Sequence, residues 1–203
     1  MTAGGLVYLM GPSGAGKDSL LAALRREAVE GLLVAHRYIT RPATDSSENH
    51  VALSKAEFDS RCRGGLFAMN WMAHNHDYAL GVEIDLWLDL GFAVVVNGSR
   101  EYLPVAREKY RQELVPVCLR VAPETLRTRL QRRGRENARE IERRLLRASA
   151  YQRDLPPDCR FLDNDGALDD TVTALLALLR EQAVLPDRVR RQTAVAPRPL
   201  SVA

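Results

Sequence analysis

Residues 6–17 read Leu-Val-Tyr-Leu-Met-Gly-Pro-Ser-Gly-Ala-Gly-Lys, and this stretch decides the fold. Leu6–Met10 is an unbroken apolar run, as a strand buried on both faces requires. The glycine-rich loop Gly11, Pro12, Ser13, Gly14, Ala15, Gly16, Lys17 follows it. A helix is predicted next, from about Lys17 to Val29, with Leu20, Leu21, Leu24 and Ala28 on one apolar stripe. Strand, loop and helix in this order make a phosphate-binding loop. The glycines let successive backbone N–H groups turn toward one phosphate, and the helix adds its positive end. Lys17 contributes a mobile point charge that can follow the β- and γ-phosphates of a nucleotide. Lysine is scarce here: Lys17, Lys55 and Lys109 are the only three among 29 basic residues, so one inside such a loop stands out. Asp18 follows at the position where Ser or Thr normally donates a hydroxyl to Mg²⁺, with Ser19 one place later. Asp18 is therefore a candidate Mg²⁺ ligand, directly or through a bound water, because Mg²⁺ prefers oxygen and keeps several waters. It also reads as a carboxylate favoured by the positive end of the helix. Both readings stay open.

Outward from the loop, short apolar runs alternate with helical periodicity, the pattern of an α/β domain with a largely parallel sheet. A strand is predicted over Leu32–Ile39, a polar loop over 40–50, and a short helix opened by the capping box Ser54–Glu57. Two short strands surround a turn near Asn75 within 66–81, and Val82–Leu90 reads as a helix. Phe92–Val96 and Leu114–Val121 read as strands, the latter with an irregular start at Pro116. Pro123 suits the first turn of a helix to about Arg133, which Gly134 interrupts. An arginine-rich helix continues to about Asp154, with Glu140 and Arg144 spaced for an ion pair on a solvated face. A last strand over Arg160–Leu162 meets the turn Asn164-Asp165-Gly166. A final amphipathic helix buries Leu168, Val172, Leu175, Leu176 and Leu179. The whole is one domain over 1–185, and 186–203, rich in proline and arginine without periodicity, is expected to be a disordered tail.

Composition narrows the class. A chain of 203 residues, 46% hydrophobic and 27% charged, suits one soluble globular domain with a sizeable core. A net charge of +3 is too small to imply nucleic acid, and the basic residues lack aromatic interleaving. No apolar run reaches the ~20 residues of a membrane span, and residues 1–14 lack a basic secretory leader. Cys62, Cys118 and Cys159 are odd in number and widely spaced, which argues against a disulfide scaffold or a zinc site and fits a reducing cytoplasm.

The segment around Gly134 carries the second motif. Arg129, Arg132, Arg133 and Arg135 surround the helix break, and Arg139, Arg143, Arg144 and Arg147 follow. A moving phosphoryl group concentrates negative charge, which guanidinium forks neutralise with fixed geometry. A glycine at the break lets such a segment close over substrates as a lid. Arg133, Arg135 and Arg144 are the candidates, and most of the others read as solvated positions on a long helix.

Taken in order, the loop Gly11–Lys17, Tyr38-Ile39-Thr40-Arg41-Pro42, the turn Tyr78-Ala79-Leu80-Gly81, the arginine lid and Asn164-Asp165 resemble the guanylate-kinase branch of the P-loop kinases. The resemblance covers roughly residues 6–180. It implies a central parallel sheet of five strands with helices on both faces, a lid over about 129–140, and a small acceptor-binding insertion over about 37–81. It further implies ATP, Mg²⁺ and a phosphate-bearing acceptor. Arg41 and Tyr78 match positions that hold the acceptor phosphate, Asn164 lies in the loop bordering the nucleotide base, and Arg129 belongs with the nucleotide site.

The chain departs from guanylate kinases where guanine is read. Asn70, before Trp71, and Asn97, after the strand Phe92–Val96, stand where carboxylates accept from the base, and His50 replaces a phosphate-contacting tyrosine. Without those acceptors guanine's donors go unpaired, which disfavours it. Gly16-Lys17-Asp18-Ser19, Glu48-Asn49-His50 and Val95-Val96-Asn97-Gly98-Ser99-Arg100 instead resemble the ribose 1,5-bisphosphate phosphokinases of bacterial phosphonate catabolism. That family transfers the γ-phosphoryl of ATP to the 1-phosphate of a small phosphosugar, giving 5-phosphoribosyl 1-diphosphate. On this resemblance Lys17, Arg133 and Arg144 serve the transferred group. Arg37, Arg41 and Arg100 surround the acceptor phosphates, and His50, Asn97 and Ser99 reach the sugar hydroxyls. Structural readings remain beside these: Arg37 as an ion-pair partner in a strand, His50 as a loop histidine, Tyr78 as a core tyrosine. A nucleoside monophosphate kinase is the alternative activity, and a non-catalytic guanylate-kinase-like module is opposed by the intact loop and lid. Partners other than small molecules are not expected, neither nucleic acid nor membrane, and oligomeric state is left open, a homodimer included.

Overall fold

The computed structural model describes residues 4–42, 49–134, 136–153 and 155–185. Expectations that fall on Glu48, Arg135 and 186–203 lie outside the described residues.

The elements follow in the order β1 (Leu6–Met10), α1 (Lys17–Glu27), β2 (Leu32–Val34), β3 (Arg37–Ile39), β4 (His50–Ala52), α2 (Lys55–Arg63), β5 (Phe67–Ala73) and β6 (His76–Gly81). Next come α3 (Glu83–Asp89), β7 (Ala93–Asn97), α4 (Leu103–Tyr110), β8 (Leu114–Arg120), α5 (Pro123–Arg133), α6 (Ala138–Arg153), β9 (Arg160–Asp163) and α7 (Leu168–Glu181). Five strands form one sheet in the order β2-β7-β1-β8-β9, every neighbouring pair parallel. At its centre β1 is fully buried, as its unbroken apolar sequence requires. Strand alternation sends Val7 and Leu9 to one face, where they join a core with Leu20 and Leu24 of α1, Leu126 of α5, Leu145 of α6 and Leu175 of α7. Leu6, Tyr8 and Met10 go to the other, against Ile84 of α3 and Leu103 and Ala106 of α4.

The single strand expected over Leu32–Ile39 is two strands in two sheets. β2 pairs with β7, and Ala35 N still donates to Val95 O at 2.9 Å, after which the chain leaves. His36 and Arg37 bring polar side chains where a doubly buried strand needs apolar ones, so β3 crosses to a separate four-stranded sheet, ordered β4-β3-β6-β5. β4 falls at the end of the segment expected to be loop. In this second sheet Arg37 lies opposite His50, Ile39 opposite Tyr78, and Tyr78 opposite Trp71, so these side chains share one face. The other face, with Tyr38 and Ala79, is covered by Phe58 of α2.

Local signals act as their chemistry predicts. Ser54 Oγ accepts from Glu57 N at 3.2 Å and caps α2. His74 and Asn75 both take positive φ, 50° and 62°, in the two-residue turn between β5 and β6. Pro116 does not disturb the start of β8, because β9 pairs only from Val117 onward and no ladder bond is lost. Gly134, at φ 64°, ends α5. Glu140 does not pair with Arg144. It accepts from Asn137 N at 2.8 Å, while Asn137 Oδ1 accepts from Glu140 N at 3.0 Å, a reciprocal cap for α6. Arg144 instead meets Glu136 at 3.0 Å, and that carboxylate is nearly buried rather than solvated. The stretch after Arg100, to which no element is assigned from sequence, forms α4 with Pro104 in its first turn. Among the described residues no helix is long and apolar enough to cross a membrane.

All three cysteines are free; Cys118 and Cys159 are buried and Cys62 is exposed. Burial pushes the Cys118 thiol up to about 12 and the Cys159 thiol up to about 11, so neither offers thiolate near neutrality. A thiol reagent such as DTNB is therefore expected to titrate Cys62 alone in the native protein and all three thiols after denaturation, and native reactivity at Cys118 would mean that β8 is accessible.

Candidate active site

The phosphate loop is built by backbone that only glycine tolerates. Gly14 and Gly16 sit at φ 92° and 98°. A Cβ on Gly16 would lie 2.5 Å from Asn164 Nδ2, and one on Gly14 2.7 Å from a Leu126 methyl. Asn164 is the buttress: its Nδ2 donates to Ala15 O at 2.7 Å, its Oδ1 accepts from Thr171 at 2.9 Å, and only 4% of it is exposed. Both ends of its side chain are thus spent inside the protein. Arg129 reaches the same loop, donating to Asn164 O at 2.6 Å. Lys17 Nζ folds back onto Gly11 O and Pro12 O at 2.6 and 3.2 Å, which presents it across the mouth of the loop. Ser19 is exposed in the first turn of α1, and Asp18 Oδ1 accepts from Asn97 Nδ2 at 3.2 Å.

Asn97 ends β7 at the carboxyl edge of the main sheet, beside the loop, where ligands of open α/β sheets bind. The turn after it is fixed by Tyr8, whose hydroxyl accepts from Ser99 N at 3.1 Å and donates to Ser99 O at 3.0 Å. Gly98 is required there, since a Cβ would stand 2.3 Å from the Tyr8 ring. Burial raises the Tyr8 phenol well above its ordinary range, keeping the donor protonated. Ser99 Oγ donates to Glu101 at 2.7 Å and Arg100 lies within 3.5 Å of the same carboxylate; these contacts, the Ser99 bond foremost, hold Glu101 below the usual carboxylate range.

The second sheet faces this edge with its polar side. Arg37 lies over the Tyr78 ring, 5.1 Å from its centre, and Tyr78, 6% exposed, stacks on Trp71. Asp18, Arg37, Asn49 and Asn97 border one small cavity of about 10 Å³. Arg41 lines a second cavity of about 710 Å³ with Thr40, Lys55 and Asp77. Asn70 is exposed and lies on the face opposite to that shared by Trp71 and Tyr78, whereas Asn97 borders the small cavity.

From α6, Arg144 Nη1 lies 3.4 Å from Ser13 Oγ in the loop, and Arg133 is exposed in the last turn of α5. Sequence reasoning missed Tyr151. Its hydroxyl accepts from Gly11 N at 3.2 Å, its ring lies under Arg100 at 4.5 Å, and its carbonyl accepts from Arg100 Nη1 at 3.2 Å. One residue of α6 thus joins the root of the phosphate loop to Arg100. Nothing in the spacing marks a lone tyrosine among arginines for this task. Asn164→Ala is expected to lower the unfolding free energy by about 2 kcal/mol, because Ala15 O and Thr171 both lose a buried partner; denaturant titration measures it. Tyr151→Phe, which keeps the ring and loses the bond to Gly11, is expected to weaken ATP binding several-fold in calorimetry, and an unchanged affinity would show that the loop keeps its shape without it.

No family model matches the chain. It is 56% identical over 184 residues to the ribose 1,5-bisphosphate phosphokinase PhnN of Yersinia pestis, covering 91% of this chain and 95% of that protein. To the protein of the same name from Klebsiella pneumoniae it is 57% identical over 180 residues, 89% of this chain and 95% of that one. To the one from Chromobacterium violaceum it is 51% identical over 177 residues, 87% and 94% of the two chains. Among solved structures, guanylate kinase from Anaplasma phagocytophilum superposes with a TM-score of 0.66 over 92% of this chain and 89% of that one, at 16% identity, a likeness of fold. With 51–57% of aligned residues shared across most of both chains, this chain belongs to the PhnN ribose 1,5-bisphosphate phosphokinase family.

Proposed function

We propose that the chain transfers the γ-phosphoryl group of ATP to the 1-phosphate of ribose 1,5-bisphosphate, releasing ADP and 5-phosphoribosyl 1-diphosphate. The observation that carries this reading is the high identity to ribose 1,5-bisphosphate phosphokinases over nearly their whole length, with Lys17 and the loop intact. The loop Gly11–Ser19 takes the ATP phosphates on its backbone amides, with Asn164 and Arg129 holding it in shape. Residues 37–81 form the acceptor-binding insertion and about 129–140 the lid.

The acceptor supports a mechanism without a general base. A phosphate monoester has its second pKa near 6, so its oxygen is already a nucleophile at neutral pH. That oxygen attacks the γ-phosphorus as the bond to the bridging oxygen of ADP breaks, and the chemistry left to the protein is alignment and charge neutralisation. Lys17, Arg133 and Arg144 serve the transferred group. Arg37, Arg41 and Arg100 serve the acceptor phosphates, and His50, Tyr78, Asn97 and Ser99 its sugar and phosphate oxygens. Arg144, already beside Ser13, would be drawn further over the loop as the segment around Gly134 closes and excludes water.

Oxygen donors suit Mg²⁺, and Asp18 supplies a carboxylate beside the loop, steadied by Asn97, with the Ser19 hydroxyl exposed next to it. Asp18 would hold the ion; when bound, it neutralises charge on the ATP phosphates. Three cysteines without a disulfide accord with a reducing, cytoplasmic setting.

The test is incubation with ATP, Mg²⁺ and either ribose 1,5-bisphosphate or GMP, following ADP and the phosphorylated product. 5-Phosphoribosyl 1-diphosphate with little GDP is expected; efficient GDP formation would overturn the acceptor. In Lys17→Ala, turnover is expected to fall by a factor of 10² or more, roughly the scale of losing one charge-stabilising group, with the melting temperature nearly unchanged. Wild-type turnover in that variant would remove Lys17 from the site.

A further inference from the structure

Asn97 is 4% exposed, yet its Oδ1 has no hydrogen-bond partner. A buried amide oxygen left unpaired costs free energy, so such an atom in a ligand cleft calls for an external donor. The amide cannot escape by turning over. Asp18 Oδ1 sits 3.2 Å from Nδ2, and a flipped Asn97 would press its oxygen against that carboxylate. Asp18 therefore fixes which end of Asn97 is the acceptor. Both residues border the cavity of about 10 Å³ that also meets Arg37 and Asn49, a space of the size of a single hydroxyl or water.

We propose that Asn97 is a specificity-determining residue that accepts a hydrogen bond from a ring hydroxyl of the acceptor sugar, and so makes the enzyme select a ribose over a deoxyribose bisphosphate. This rests on the phosphosugar reading above. Ionised phosphate oxygens have no proton to donate, and ribose 1,5-bisphosphate carries its only donors on the C2 and C3 hydroxyls. One of these two must meet Oδ1. An analogue lacking it leaves the amide oxygen stranded, whereas the arginines that hold the phosphates are indifferent to its loss.

The experiment measures kcat/KM of the wild-type protein for ribose 1,5-bisphosphate and for its 2-deoxy and 3-deoxy analogues, then repeats all three with Asn97→Ala. In the wild type, one of the two analogues is expected to be about 10- to 100-fold poorer than ribose 1,5-bisphosphate, the range set by one unpaired buried acceptor. The C2 and C3 assignments are separated by which analogue suffers. In Asn97→Ala the parent substrate should drop by a similar factor while the affected analogue stays within about threefold of its wild-type value, so the selectivity collapses. A merely structural role would lower all three substrates in equal proportion, and that result overturns the proposal. So does wild-type use of both analogues within about threefold of the parent, a comparison that needs no variant to fold. Failure of the wild type to turn over ribose 1,5-bisphosphate at all would overturn the functional reading and this proposal together.

Discussion

A central strand buried on both faces has to satisfy its packing from two sides and still deliver the chain to the surface at its carboxyl end. β1 meets this with alternating apolar contacts and with one polar atom, the Tyr8 hydroxyl, which is spent on the backbone of Ser99 in the neighbouring turn. Everything that bears on ligand is arranged from that edge. The phosphate loop continues directly from β1, Asn97 ends the adjacent β7, and Asn164 follows β9 two strands away on the opposite side. Parallel strands bring these termini to one rim, where loops carry the functional groups and the sheet holds their spacing.

The loop itself is held by contacts that come from far along the chain. Asn164 supports Ala15 from below, Arg129 fastens Asn164, and Tyr151 bonds the amide of Gly11. These three residues lie on different elements, so the shape of the loop depends on β9, α5 and α6 being docked. α6 and the phosphate loop are therefore joined directly through Tyr151. The same residue also holds Arg100, through its ring and its carbonyl.

On the function proposed here, selectivity falls at a different point from charge neutralisation. Guanidinium groups hold phosphates without regard to what the phosphates are attached to. Asn97, fixed by Asp18, offers a single directional acceptor to what lies between them. Asp18, beside the phosphate loop, holds the Asn97 amide in this orientation.

The stretch from Leu6 to Lys17 by itself determined the fold class and the phosphate site, because a doubly buried strand, glycine-only dihedrals and a following amphipathic helix are all local requirements. The capping box at Ser54, the turn at His74 and Asn75 and the helix stop at Gly134 were legible for the same reason. The division of 32–39 between two sheets was not, because three-residue strands show no periodicity and only the edge of the main sheet dictates where the chain leaves. Glu140 makes the reciprocal cap with Asn137 in place of an ion pair with Arg144, a choice the spacing alone leaves open. Residue types at the site could be read from sequence, but not their partners. That Asn164 grips the loop, that Tyr151 joins it to Arg100, and that Asn70 faces away while Asn97 faces Asp18 follow from strand alternation and helix docking. Those contacts span from about 50 to 150 residues of sequence, a separation no local pattern encodes.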